Sequence, residues 1–275
     1  MTLLRRSIGP LKFVCVSLLL LVYIFPFLLI VINAFKTRLK VVSHPLSLPE
    51  SLSWDNFASA MSKMNFAHAL GNSLLITIVS VVLIVALSSM LAYYLVRWKT
   101  RTNGIILMAL VASMIVPFQA LMIPFVTIYG QFGLLNSKWM LCFYYLGFGL
   151  SLAAFMYHGF IKGIPKDLEQ AAYVDGASRL QVFARIIFPI LAPITTTIAI
   201  LDVLWIWNDF LLPSLVLLTE ENRTLPLSTF YFFGKYTSNY SEAMAALVLS
   251  IIPIIIFYLA MQRQIIKGVI DGAVK

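Results

Sequence analysis

The sequence predicts an all-α membrane protein, with about six transmembrane helices in a single domain over residues 1–275. Of the 275 residues, 61% are hydrophobic and only 11% are charged, and the mean hydropathy is +0.93. Soluble proteins carry roughly 25% charged residues, and a soluble fold of this length could not remove so much apolar surface from water. The solvent for most of the chain is therefore lipid.

Six apolar segments are long enough to cross a bilayer, because a helix needs about 20 apolar residues to span a hydrocarbon core roughly 30 Å thick. They cover approximately residues 11–33, 69–96, 105–130, 139–161, 185–218 and 243–262. The first follows Arg5 and Arg6 but exceeds the roughly 7–15 residues of a secretory signal, so we expect a retained helix. The fifth contains Pro189, Pro193 and Pro213, so we expect it to start in the cytoplasmic interface and to bend or re-enter at its end.

The basic residues predict that both termini are cytoplasmic. In that orientation thirteen of the 20 Lys and Arg residues lie on the inner side and seven on the outer side, which agrees with the known excess of such residues in cytoplasmic loops. The net charge of +9 is spread between apolar runs. This distribution does not predict a nucleic-acid partner.

The inner loop between the fourth and fifth spans, residues 162–184, is predicted to fold as a short helix, a sharp turn and a second helix. Pro165 suits a first helical position, where its missing N–H is not needed. Gly176 stands where a left-handed residue commonly ends a helix. Ser178 and Gln181 have the spacing of a capping box, so a second helix can begin at once.

The first helix of this loop carries acids in its first turn, Asp167 and Glu169, which complement the helix dipole. Apolar and small residues lie between its charged groups: Leu168, Ala171, Ala172 and Val174. Such a stripe can seat in a groove on a soluble partner, or it can lie on the membrane surface. The residues alone leave both interpretations open.

The same segment resembles the signature loop of permease subunits in ATP-binding-cassette importers. That pattern is Glu-Ala-Ala, three residues, Gly, nine residues, Ile, one residue and Leu-Pro, and the residues that match it here are Ala171, Ala172, Gly176, Ile186 and Pro189. Gln170 stands where the pattern has Glu, and Phe188 stands where it has Leu. Glu169, one position earlier, lies about 100° around the helix.

Further stretches resemble the sugar-importing, maltose-permease-like branch of that family, in its shorter subunit type. They are Asn72-Ser73, Trp207-Asn208-Asp209-Phe210 with Pro213, Thr224-Leu225-Pro226-Leu227, Gln262-Arg263, Gly268 and Gly272-Ala273-Val274-Lys275. The resemblance implies an ATP-driven importer of a sugar or oligosaccharide in the bacterial plasma (inner) membrane. It also implies that the loop is a coupling helix for an ATPase, formed here by Glu169, Gln170, Ala171, Ala172, Asp175, Gly176 and Pro189.

The partners that the resemblance implies are a second, homologous permease subunit, two ATP-binding subunits and an extracytoplasmic solute-binding protein. This chain has no Gly-rich phosphate loop of the Walker type, so ATP and Mg are expected on the partner ATPase subunits and no cofactor on this chain. Neither a paired-carboxylate site nor metal-ligand spacing of His or Cys occurs in the sequence. An enzymatic function and a metal site are therefore not expected.

Polar residues in the fifth span are candidates for a substrate path: Asp202, Trp205, Asn208 and Asp209. An acid at the membrane centre costs about 2.5–3.5 kcal/mol on insertion scales, so it should face protein or water. Alternatively, Asp202 bonds a neighbouring helix and the tryptophans anchor the outer interface. Gln119, beside two prolines in the third span, either lines a wet kink or marks a packing kink.

Three alternatives to a sugar importer remain at this stage. The solute could be a glycerol phosphate or a polyol. The chain could be an ion-coupled secondary transporter, although such proteins often show repeats and midplane charges, and no repeat is evident here. It could also be a membrane scaffold or assembly factor, for which the polar fifth span would be unusual.

Overall fold

The computed structural model describes residues 2–232 and 239–273, and the regular secondary structure of these residues is helical. The α-helices are α1 (Thr2–Ala34), α2 (Arg38–Ser43), α3 (Asp55–Lys63), α4 (Phe66–Arg97), α5 (Arg101–Ser113), α6 (Phe118–Gln131), α7 (Lys138–Lys162), α8 (Asp167–Val174), α9 (Arg179–Val182), α10 (Phe188–Ile190), α11 (Ala192–Asn208), α12 (Leu211–Val216), α13 (Leu225–Thr229) and α14 (Tyr240–Ala273). A π-helical turn, Phe183–Ile187, joins α9 to α10. Two 3-10 turns cover Glu220–Asn222 and Phe230–Phe232.

Four helical segments are long and apolar enough to cross a membrane without a break: Lys12–Ala34, Phe66–Arg97, Lys138–Lys162 and Tyr240–Gln264. Two helix pairs meet the same test only together, and each is bent. Arg101–Ser113 and Phe118–Gln131 meet at 101°, and Arg179–Ile190 and Ala192–Asn208 meet at 75°. The all-helical membrane fold is confirmed, and the predicted six spans are reached when each bent pair counts as one.

The two bent pairs refine the expected third and fifth spans. The third span breaks between α5 and α6, just before Pro117, whereas Pro124 lies inside α6 without ending it. The fifth bends at Leu191, between Pro189 and Pro193. Proline lacks the N–H that would continue the helical ladder and clashes with the preceding turn, so breaks beside these residues follow from their chemistry.

The backbone divides into two compact units, which are Met1–Ala67 with Ser228–Pro253, and His68–Leu227 with Ile254–Lys275. In the first unit Lys36 is buried, and its Nζ donates to Asn33 Oδ1 and to the carbonyls of His44 and Pro45, each at 3.0 Å. Burial lowers the pKa of Lys36. These bonds fix the start of the segment that follows α1.

The second unit contains the larger buried core, to which α4, α7 and α11 contribute. Gly149 on α7 allows the closest approach of these helices. A Cβ on Gly149 would lie 2.6 Å from Ile84 Cδ1 on α4 and 3.3 Å from Trp205 Cζ3 on α11. Small residues at helix crossings permit such contacts in membranes, where helices associate through close packing.

Candidate coupling loop and membrane-embedded polar residues

The first helix of the inner loop, α8, begins at Asp167, two residues later than Pro165 would place it. Its end is as predicted. Gly176 has φ +84°, its N–H donates to Tyr173 O at 3.1 Å, and Ala177 N–H donates to Ala172 O at 3.0 Å. This pair of bonds is the Schellman arrangement, in which a left-handed residue satisfies the last carbonyls of a helix.

The second helix of the loop, α9, carries the predicted capping box. Ser178 Oγ accepts from Gln181 N–H at 3.4 Å, and Gln181 Oε1 accepts from Ser178 N–H at 2.7 Å. The π-helical turn Phe183–Ile187 follows at once. Single π turns are rare and frequently lie at functional sites, so the loop enters the bent fifth span through an unusual helical geometry.

Most of the predicted coupling residues are exposed on this chain. The exposed members are Gln170, Ala171, Asp175, Gly176 and Pro189. Ala172 is half-buried and packs against the core. Around them the apolar side chains of Leu168 and Val174 are 46% and 88% exposed. The outward face of α8 therefore combines small and apolar side chains with an exposed acid at each end, Asp167 and Asp175.

Glu169 differs from the other predicted coupling residues because it points into its own chain. Its Oε1 accepts from Arg97 Nε at 2.5 Å, and its Oε2 accepts from Tyr93 OH at 2.7 Å. Arg97 Nη2 also donates to Ile164 O at 3.2 Å. Glu169 was predicted as a member of the coupling surface, but its carboxylate is bound to α4 and does not lie on the exposed face of α8.

Sequence reasoning missed Arg97 and Tyr93 as members of this site. In the sequence, Arg97 contributes only to the count of predicted inner-side cations. The sequence did contain a signal for Tyr93 and Arg97 as a pair. Arg97 is the first charge after the charge-free run from Leu70 to Val96, and Tyr93 stands four residues before it, on the same helix face. The partner of that pair could not be read from spacing, because Glu169 is 72 residues away from Arg97.

Two of the candidate path residues meet on a third side chain, Tyr145 of α7. Asp209 Oδ2 accepts from Tyr145 OH at 2.9 Å, and Asp209 Oδ1 accepts from Leu211 N–H at 3.0 Å. The ring of Tyr145 contacts that of Trp205 edge to face, with 5.4 Å between centroids. Asp209 also follows the last residue of α11 and precedes α12, so it stands at a helix break.

The other candidate path residues are placed separately. Asp202 is buried, and its Oδ2 has no hydrogen-bond partner in residues 2–232 and 239–273. The alternative of a bond from that oxygen to a neighbouring helix is therefore not observed there. Asn208 is exposed and donates to Leu204 O at 2.7 Å. Gln119 is exposed at the start of α6, beyond the break in the third span.

Two stretches that are distant in sequence, Asn72-Ser73 and the segment before Pro226, are in direct contact. Asn72 Nδ2 donates to the carbonyls of Glu221 and Arg223 at 2.9 and 3.0 Å. Ser73 Oγ accepts from Leu225 N–H at 2.7 Å. The start of the second span therefore holds the segment that follows the fifth.

Comparison with known proteins identifies the family. The model of the "Binding-protein-dependent transport system inner membrane component" family matches residues 84–271, which is more than half of the chain. The chain belongs to this family. It is thus a multi-pass permease component of the inner membrane, and the ion-coupled and scaffold alternatives are not favoured.

Curated relatives of this permease are transport proteins by name. It is 46% identical, over 93% of each chain, to the "Probable starch degradation products transport system permease protein AmyC" of Thermoanaerobacterium thermosulfurigenes. It is 34% identical, over 96% of each chain, to the "Multiple sugar-binding transport system permease protein MsmG" of Streptococcus mutans. With the "Melibiose/raffinose/stachyose import permease protein MelC" of Bacillus subtilis, the permease shares 33% identity over 82% of its own length and 83% of the relative's.

The fold of the permease also matches a solved structure, "Crystal structure of a bacterial ABC transporter involved in the import of the acidic polysaccharide alginate". The TM-score is 0.82 at 21% sequence identity, and the match covers 94% of this chain and 96% of the other. At this identity the likeness concerns the fold.

Proposed function

We propose that this chain is one of two unlike permease subunits of an ATP-driven importer, and that it translocates a sugar or oligosaccharide. An extracytoplasmic binding protein delivers the solute, and two separate subunits bind ATP and Mg and hydrolyse the nucleotide. Both termini lie in the cytoplasm. The relatives that carry this proposal are named for starch products, multiple sugars and raffinose-type oligosaccharides.

The structural observation that supports an ATPase partner is the outward face of α8. A connector of this length does not require a helix with a Schellman turn at one end and a capping box directly after it. The face between these motifs exposes Gln170, Ala171 and Val174. A short helix with small and apolar exposed side chains fits a groove on a soluble protein.

Within the membrane, we propose that Asp202, Trp205, Asn208, Asp209 and Gln119 line the substrate path. Carboxylate and amide groups bind sugar hydroxyls as acceptors and donors. The ring of Trp205 is partly exposed and is held by Tyr145, so it offers a flat apolar surface to a sugar ring. Asp202 supports this role best, because burying a carboxylate oxygen without a hydrogen-bond partner costs free energy, and such residues in membranes commonly mark a substrate path.

The test is to purify the tagged chain with the products of its adjacent genes and to reconstitute the complex in proteoliposomes with the binding protein. We expect one copy of this chain, one second permease and two ATP-binding subunits by native mass spectrometry. Uptake of labelled maltotriose or raffinose should require the binding protein on the side of the membrane that holds the sugar and ATP on the opposite side. Uptake of glycerol 3-phosphate in place of both sugars would contradict the sugar assignment.

A matched pair of variants tests the docking face. Val174→Glu places a charge on the exposed face of α8, and Leu48→Glu places the same charge on a residue that is 76% exposed in the predicted outer loop. We expect Val174→Glu to lose co-purifying ATPase subunits and Leu48→Glu to retain them. Equal recovery of the ATPase with both variants would contradict docking at α8.

A further inference from the structure

A buried ion pair lies beneath the exposed face of α8, and docking through that face does not use it. We propose that Arg97, Tyr93 and Glu169 form a positioning joint that fixes α8 to the inner end of α4, so that displacement of α8 displaces α4. This inference rests on the proposed function, in which an ATP-binding subunit moves α8. It assigns to the three residues a role in transmitting that motion and not in contacting the ATPase.

The first argument is the burial of opposite charges. The side chains of Arg97 and Glu169 are each 7% exposed, and 2.5 Å separates Arg97 Nε from Glu169 Oε1. Breaking such a pair leaves a charge in a low-dielectric site without its partner, which is strongly unfavourable. Charge-assisted hydrogen bonds also hold a defined geometry. Sliding of α8 along α4 is therefore opposed much more strongly than movement of both helices together.

The second argument is that both arms of the loop bind the same turn of α4. Tyr93 and Arg97 are four residues apart and share a helix face. Tyr93 donates its OH to Glu169 on α8, and its ring lies 5.3 Å from that of Phe183 in the π-helical turn. The incoming and outgoing arms therefore meet on one side chain.

The third argument is that the one buried side chain of α8 is the one that binds α4. Glu169 is the one buried residue among the eight residues of α8. Arg97 adds a bond to Ile164 O, which ties the end of the preceding segment to the same point. Glu169 thus provides the charged attachment of α8 to α4, beside the packing of Ala172 against the core and the contact of Tyr173 with Tyr93.

The variants separate transmission from assembly. Glu169→Gln removes the charge at constant size, and Tyr93→Phe removes only the hydroxyl and keeps the ring against Phe183. Tyr94→Phe, the same change at the neighbouring residue of α4, whose side chain is 48% exposed, is the matched control. A hydrogen bond to a charged group changes an equilibrium by at least about tenfold, so each test variant should open the joint about tenfold more often.

Two measurements follow from this expectation. In the reconstituted importer, uptake of labelled maltotriose and ATP hydrolysis are measured on the same vesicles. Glu169→Gln and Tyr93→Phe should keep the ATPase subunits but hydrolyse several times more ATP per sugar than wild type. In the purified chain in nanodiscs, hydrogen exchange of the α8 amides should be about tenfold faster in both test variants than in wild type, and Tyr94→Phe should exchange like wild type.

The outcomes distinguish the inference from the function on which it rests. Wild-type complex that shows no ATP-dependent sugar uptake refutes the proposed function, while the exchange experiment still decides whether the joint holds α8. A test variant that assembles poorly but has the wild-type ratio of ATP to sugar per assembled complex would show a merely structural pair and overturn the inference. Unchanged exchange at α8 in both test variants would overturn it as well.

Discussion

The close crossing at Gly149 allows a quantitative test of how α4, α7 and α11 pack. In Gly149→Ala the new methyl group would meet Ile84 Cδ1 at 2.6 Å and Trp205 Cζ3 at 3.3 Å. Ile84 is fully buried, so its δ-methyl cannot turn into free space. Overpacking of this kind costs about 1–3 kcal/mol.

Gly147 provides the matched control, because a Cβ at that position on the same helix meets nothing within 4 Å. Both Gly→Ala changes gain the same helix propensity, about 1 kcal/mol. The difference between the two variants therefore isolates the steric cost. We expect Gly147→Ala to be neutral or slightly stabilised, and Gly149→Ala to be about 1–3 kcal/mol less stable than Gly147→Ala.

The assay is the free energy of unfolding from a detergent titration of the purified chain. Ile84→Val removes the clashing Cδ1 and costs about 0.5–1.5 kcal/mol alone. Combined with Gly149→Ala, it should cost less than the sum of the two single changes, because neighbouring sites couple. Equal stability of the two alanine variants, or strict additivity in the double variant, would refute the packing argument.

Three further results are expected. Gly176→Ala forces a left-handed backbone on an L-residue at a cost of about 1–2 kcal/mol, so hydrogen exchange at the end of α8 should accelerate, whereas Gly176→Asn should have a smaller effect; equal rates would contradict this. Asp202→Asn removes a buried carboxylate and should raise the free energy of unfolding by up to about 3 kcal/mol, while sugar uptake falls; unchanged uptake would remove Asp202 from the path. Asn72→Ala deletes the bonds to Glu221 and Arg223, so amide exchange in that segment should rise, and an unchanged rate would show that other contacts hold it.

The predictable parts of the coupling loop are those governed by local rules. Gly176, Ser178 and Gln181 are within one or two turns of the groups they satisfy, so their spacing alone predicted the Schellman turn and the capping box. The helix α8 begins two residues after the predicted position, because Pro165 is compatible with a place just outside a helix as well as with its first turn.

The unpredicted parts depend on residues far apart in the chain or on a choice between similar signals. Glu169 and Arg97 lie on two different helices, 72 residues apart, and the pattern of residues within one helix does not predict a pairing with another. In the third span the break falls before Pro117, whereas Pro124 is accommodated inside α6. Proline is tolerated at the start of a helix but disturbs the ladder inside one, so the spacing of the two prolines did not show that Pro117 would stand at the start of α6 and Pro124 inside it.

The long helix α4 runs from Phe66 to Arg97 without interruption. It has 32 residues and no proline, so it extends about 48 Å. Arg97 and Tyr93 at one end hold the inner loop, and Asn72 with Ser73 near the other end holds the segment before Pro226. The bent pairs α5–α6 and α9–α11 are interrupted at their breaks, whereas α4 is one continuous helix. In the proposed orientation, a tilt of α4 at its Arg97 end would also move its Asn72 end, on the side from which the solute is proposed to enter.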